Sequence, residues 1–125
     1  MSGLQFSDYY PIPKTYNGAI GTGVEFKPNN YERWYVFRLS VKITTSATVG
    51  TRKIVVYLET SLGYKLHLAD PITLAENTTD YIVIDKPFWI TTVLPLKIVD
   101  VNGIDGAGDT VQIVMEVQPF MGGWI

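Results

Sequence analysis

At least six runs of apolar and β-branched residues recur along this chain, separated by turn formers at roughly 8–15 residue intervals, with no amphipathic helix of useful length between them. A chain so patterned can bury its apolar residues only by stacking strands, so the expected class is an all-β antiparallel sandwich or jelly-roll. The clearest alternation lies at Tyr35, Phe37, Leu39, Val41 and Ile43, which predicts a long strand with one apolar face. Ile54-Val55-Val56-Tyr57-Leu58 predicts a second strand across a hairpin, and Tyr64, Leu66 and Leu68 a third. Tyr81–Ile84, Leu94–Val101 and Val111–Val117 complete the series, with Pro95 placing the start of the fifth at a sheet edge.

The two ends differ from this body. Residues 1–30 hold Phe6, Tyr9, Tyr10, Tyr16 and Phe26 among Pro11, Pro13, Pro28, Gly18, Gly21 and Gly23. That is too many turn formers for a long strand and too many aromatics for a solvated tail. Residues 119–125, with Phe120 and Trp124 around Gly122-Gly123, have the same character. The expected organisation is an extended arm over 1–30, a sandwich over 31–118 and an aromatic tail over 119–125. Two uses of the ends stay open: covering their own sandwich, or docking on a neighbouring subunit.

Composition narrows the function. The 125 residues suffice for one core. Only 18% are charged, the net charge is -2, and the basic residues form no run or stripe, so phosphate-driven nucleic-acid binding is not expected. Without cysteine there is no disulfide, thiolate zinc site or cysteine nucleophile. The first residues lack the basic start and apolar centre of a signal peptide, and no apolar run approaches the ~20 residues of a membrane span. The expectation is therefore a protein made in the cytoplasm that engages no membrane.

Motifs for chemistry are few. His67, the single histidine, alternates with apolar neighbours and is read as a surface residue, not a base. Asp100 to Asp109 is rich in oxygen donors but breaks the EF-hand pattern: Ile104 holds a ligand position, Asp105 replaces the turn glycine and Val111 stands in for the bidentate Glu. It is read as a glycine-rich loop. Gly18 to Gly23 has the wrong glycine order for a dinucleotide site and no following Gly-Lys-Ser/Thr. Asn77-Thr78-Thr79 fits a glycosylation acceptor, which without a signal peptide carries no weight. The twelve acidic residues show no glycosidase-like pairing. No catalytic residue, cofactor or metal is expected. Trp34, Tyr57 and Trp89 are candidates for a carbohydrate platform, since the first two fall opposite their strands' main apolar sets.

Tyr35-Val36-Phe37-Arg38-Leu39-Ser40-Val41, then Thr45-Ser46-Ala47-Thr48-Val49-Gly50-Thr51-Arg52 and the Gly63 turn, resemble small virion proteins of tailed bacteriophages. Leu74-Ala75-Glu76-Asn77-Thr78-Thr79-Asp80-Tyr81 and Gly108-Asp109-Thr110 followed by Glu116-Val117 continue the resemblance, which spans residues 33 to 118. It implies a non-enzymatic auxiliary or decoration protein of the capsid with a β-sandwich body, found in the virion beside partners such as the major capsid protein. Arg52 is the residue carried over as a partner contact. The aromatic ends supply the others: Phe6, Tyr9, Tyr10, Tyr16, Phe26, Phe120 and Trp124. A homo-oligomer is expected, with a trimer favoured over a dimer or pentamer. The alternative is a carbohydrate-binding module or receptor-binding component of a tail.

Overall fold

The computed structural model describes residues 11–121. Ten strands follow in order: β1 (Ile12–Ala19), β2 (Val24–Phe26), β3 (Glu32–Thr44), β4 (Arg52–Glu59), β5 (Lys65–His67), β6 (Ile72–Leu74), β7 (Thr79–Ile84), β8 (Phe88–Ile90), β9 (Leu96–Asp100) and β10 (Thr110–Met121). All pair antiparallel in two sheets. The first runs β1-β10-β3-β7 with β8 also on β3; the second runs β2-β9-β4-β5 with β6 also on β4. Taken as interrupted single strands, β5 with β6 and β7 with β8 leave eight strands in a nested pairing of β1 with β10, β2 with β9, β3 with β7/β8 and β4 with β5/β6. That arrangement is compatible with a jelly-roll. The expected all-β sandwich is what forms.

Strict alternation fixes the core. Val111, Ile113, Met115 and Val117 of β10 point inward and are fully buried, while Gln112, Val114 and Glu116 between them are exposed. They meet Ile54, Val56 and Leu58 of β4 and Ile98 of β9 across the interlayer space. Burying each such side chain contributes about 1.5–3 kcal/mol.

One strand breaks its own alternation. Met115 pairs with Leu39 and Glu116 with Arg38, but Val117 pairs with Val36, so Phe37 is an extra residue in β3. A one-residue β-bulge reverses which side chains face the core. Leu39, Val41 and Ile43 point inward as expected, whereas on the other side of the bulge it is Trp34 and Val36 that do so. The expected single face containing Tyr35, Phe37 and Leu39 is thus corrected: Tyr35 and Phe37 lie outside. The bulge stands opposite the break between β7 and β8, which pair β3 over Leu39–Thr44 and Trp34–Val36 respectively.

The ends are also corrected. β1 pairs with β10 at eight positions and β2 pairs with β9 at three, so residues 12–26 are sheet, not an arm beside it. β1 is an edge strand, where a proline such as Pro13 is tolerated. Gly21 at φ 57° and Gly23 at φ 131° turn the chain from one sheet to the other. Pro119 to Met121 extend β10. Pro95 precedes β9, which is not an edge but lies between β2 and β4. Phe6, Tyr9, Tyr10 and Trp124 lie outside the described residues.

Candidate functional site

The strand directions sort the loops into two groups. At one end lie 20–23, 45–51, 75–78 and 101–109; at the other lie 27–31, 60–64 and 91–95, together with Pro11 and Met121, where the chain enters and leaves the sandwich.

The first end is built on Arg52. As the first residue of β4, it shares the inward parity of Ile54 and Val56 and is fully buried. Its Nε donates to Asp109 Oδ2 at 2.8 Å and its Nη2 to Oδ1 at 3.1 Å, a bidentate pair with a carboxylate that is itself buried. Nη1 donates to the Gly50 carbonyl at 2.7 Å and Nη2 to Ser46 Oγ at 3.2 Å. Asp109 holds Arg52 firmly protonated, against the opposing effect of burial. Ser46 N–H donates to Asp109 Oδ1 at 2.8 Å, and the Ser46 hydroxyl donates to Asp105. Thr48 Oγ1 also donates to Asp105, at 2.7 Å. The hydroxyls of Ser46 and Thr48 and the Gly108 N–H depress the Asp105 pKa. Glu76, lowered by its own backbone N–H and that of Gly50, belongs to the same belt. Thr45 Oγ1 donates to the Ala75 carbonyl at 2.7 Å and accepts from Thr78 N–H at 2.8 Å, tying the second loop to the third.

These loops are therefore tied together by a buried polar lock, with Val49 and Val101 exposed around it. Arg52, expected as a partner contact, has no surface to offer. The donor-rich loop is likewise spent internally: Asp100 accepts from the N–H groups of Lys53, Asn102 and Ile104. Among the described residues no group of three acidic or histidine side chains could hold a metal.

The opposite end mixes polar residues with exposed apolar ones. Tyr31, Leu62, Tyr64 and Val93 stand exposed on its three loops. A shallow depression of about 210 Å³ runs between Lys27, Glu59, Thr60, Ser61, Thr92, Val93 and Pro95. Tyr31 sits at φ 68° with 65% of its surface in solvent. A bulky side chain in the left-handed region is strained by about 1–3 kcal/mol, and its burial does not offset that strain.

On the outer face of the first sheet, near the same end, Tyr35 packs against Phe37 at 5.1 Å and Trp89 at 4.9 Å, and Trp89 against Phe120 at 5.5 Å. Arg33 lies over the Trp89 and Phe120 rings. Trp34 and Tyr57 do not join Trp89 in a platform. Trp34 is 7% exposed, on the core side of β3, beneath the Lys14 ammonium. Tyr57 is 5% exposed, on the outer face of the second sheet, with Lys65 over its ring and His67 beside it. The bulge turns Trp34 inward; charged neighbours on short strands cover Tyr57. His67 points outward as expected. An open depression of about 400 Å³ next to Tyr57 is flanked by Lys97, held 2.6 Å from Glu59 and 3.7 Å from Glu25.

Of the other expected partner contacts, Tyr16 and Phe26 are half-buried and pack on the core. The Tyr16 hydroxyl donates to the Ala19 carbonyl at 2.6 Å. Tyr31, Leu62 and Val93 were missed by sequence reasoning, because isolated apolar residues in turns carry no periodic signal.

No family model matches the chain, and no curated protein does. Among solved structures it is similar to the Drosophila NLP core, at 12% identity and a TM-score of 0.43 over 85% of this chain and 97% of that one. It is also similar to a chain of infectious bursal disease virus strain Gx, at 12% identity and a TM-score of 0.38, covering 93% of this chain and 34% of the viral one. A third similarity is to the CBM22-1-GH10 modules of Clostridium thermocellum xylanase 10B, at 15% identity and a TM-score of 0.33, spanning 27% of that chain.

Proposed function

We propose that this chain is a non-enzymatic structural protein of a tailed-bacteriophage virion, an auxiliary or decoration-type component that attaches end-on to neighbours such as the major capsid protein. It is made in the host cytoplasm and works in the particle. The observation that carries this reading is the end of the sandwich at which the chain enters and leaves. One end is closed by a buried ion pair. The other presents Tyr31, strained and in solvent, with Leu62 and Val93, where the chain enters at Pro11 and leaves at Met121. Exposed apolar side chains on neighbouring loops can serve a protein contact, and repetition over a shell multiplies a weak contact into firm attachment.

The test is incorporation. Mass spectrometry of purified particles finds the wild-type chain, while the triple variant Tyr31→Asp, Leu62→Asp, Val93→Asp folds with unchanged circular dichroism and is absent from particles. Particles that never contain the chain, or that take up the variant as well as the wild type, overturn the reading.

A further inference from the structure

Lys97 stands on the outer face of the second sheet, opposite Glu25 of β2 on one side and Tyr57 of β4 on the other. Its ammonium carries three N–H donors. One is bound to Glu59 Oε1 at 2.6 Å, and this bond keeps Lys97 protonated against the cost of its burial. The Glu25 carboxylate, at 3.7 Å, is beyond hydrogen-bond reach. Lys97 and Glu25, but not Glu59, line the open depression of about 400 Å³, so the remaining donors and a carboxylate border the same space. Thr22, Gly23 and Val99 line it too. A Cβ on Gly23 would stand 2.9 Å from the Val99 Cγ2 methyl; without one, that methyl is left as an apolar floor.

We propose that this depression binds a neutral sugar residue, one ring hydroxyl bridging the Lys97 ammonium and the Glu25 carboxylate while the C–H face of the ring lies on Val99. A ligand atom that closes the gap between the two charges must accept from one and donate to the other. A hydroxyl does both at a single oxygen, about 2.8 Å from each. A peptide amide does not, because its N–H and C=O point to opposite sides of a rigid plane. An anion has no proton for Glu25 and meets Glu59 behind Lys97, and a cation is repelled by Lys97 itself. Water fills such a gap, and a ligand with several hydroxyls displaces it without losing hydrogen bonds while also covering the Val99 methyl. The volume falls within the range of small-molecule sites. Tyr57 is 5% exposed and offers no ring for stacking, so the affinity is low, with a dissociation constant of about 1–10 mM. The inference stands apart from the virion reading.

Amide NMR on the full, isotope-labelled chain tests it by titration with the methyl glycosides of glucose, galactose, mannose and N-acetylglucosamine. At least one of them shifts the amides of Gly23, Glu25, Lys97 and Val99 and saturates. Glu25→Ala and Lys97→Met each weaken that binding about tenfold or more, whereas Lys53→Met, an exposed lysine on the same face, leaves it unchanged. The Glu25 side chain is 48% exposed, so Glu25→Ala stays folded and decides the matter even if Lys97→Met does not. Glycosides that move no amide of the depression, binding that survives Glu25→Ala or is lost equally on Lys53→Met, or an equal response to inorganic phosphate or N-methylacetamide overturns the proposal. Presence or absence of the chain in particles has no bearing on these shifts, so the two proposals fail separately.

Discussion

Arg52 was visible in the sequence as a singular residue, yet its role was not. Its parity with Ile54, Val56 and Leu58 places it inward, and a buried guanidinium requires a carboxylate. The partner, Asp109, is 57 positions away, a pairing that no local pattern displays. Removing Asp109 would leave the guanidinium buried without its counter-charge, which costs about 3–5 kcal/mol in comparable pairs. The surrounding belt makes stability depend on pH in a definite direction. Asp105 and Glu76 have folded pKa values below their ordinary 3.8 and 4.5. Near those values the unfolded chain binds more protons than the folded one, so stability rises with pH there. The contribution is complete above about pH 5 and is lost as pH falls through the depressed folded values. The wild type should therefore lose urea resistance between about pH 5 and pH 3. Asp105→Asn is less stable at pH 6, and its deficit narrows toward pH 3. A deficit that stays constant across that range would mean that Asp105 acts through packing alone.

Among the elements, the long strands were legible, and of the three-residue strands only β5 was. β3 and β10 announce themselves through alternation, and β4 and β7 through runs of β-branched and aromatic residues. β2, β6 and β8 have three residues each, too few for a period to register. β1 was hidden because prolines and glycines read as loop formers, although an edge strand accepts them. The bulge at Phe37 was illegible for another reason. The sequence continues to alternate through it, and only the register against β10 reveals the extra residue. The two aromatics flanking this point separate the readings. Trp34→Ala empties a core position and should cost about 3–5 kcal/mol. Phe37→Ala, on the outer face, should cost less than half as much. Chemical denaturation of both variants decides the matter, and equal losses, or a larger loss at Phe37, would place the core on the wrong side of the strand.

At the scale of the whole molecule, the sandwich follows from strand count and spacing, whereas its two unlike ends follow only from the winding. Loops 45–51, 75–78 and 101–109 are up to about sixty positions apart in sequence, and each is unremarkable by itself. The winding gathers them around one ion pair. Their backbone groups then become part of the cooperative structure: Ser46 N–H is held by Asp109, Asn77 N–H by the Ser46 carbonyl, and Asp109 N–H by the Asp105 carbonyl. At the other end the 60–64 and 91–94 turns are closed chiefly by short-range bonds, Gly63 to Thr60 and Leu94 to Thr91. Local opening is governed by how much buried structure must break with a given bond. Native-state hydrogen exchange should thus protect Ser46, Asn77 and Asp109 nearly as well as the β3 and β10 strands, although all three are loop residues. The amides of Leu62 and Val93 should exchange orders of magnitude faster, and Asp109→Asn should release the protected loop set together while leaving Leu62 and Val93 unchanged. If the two ends exchange at similar rates in the wild type, the buried ion pair does not make its loops part of the cooperative structure.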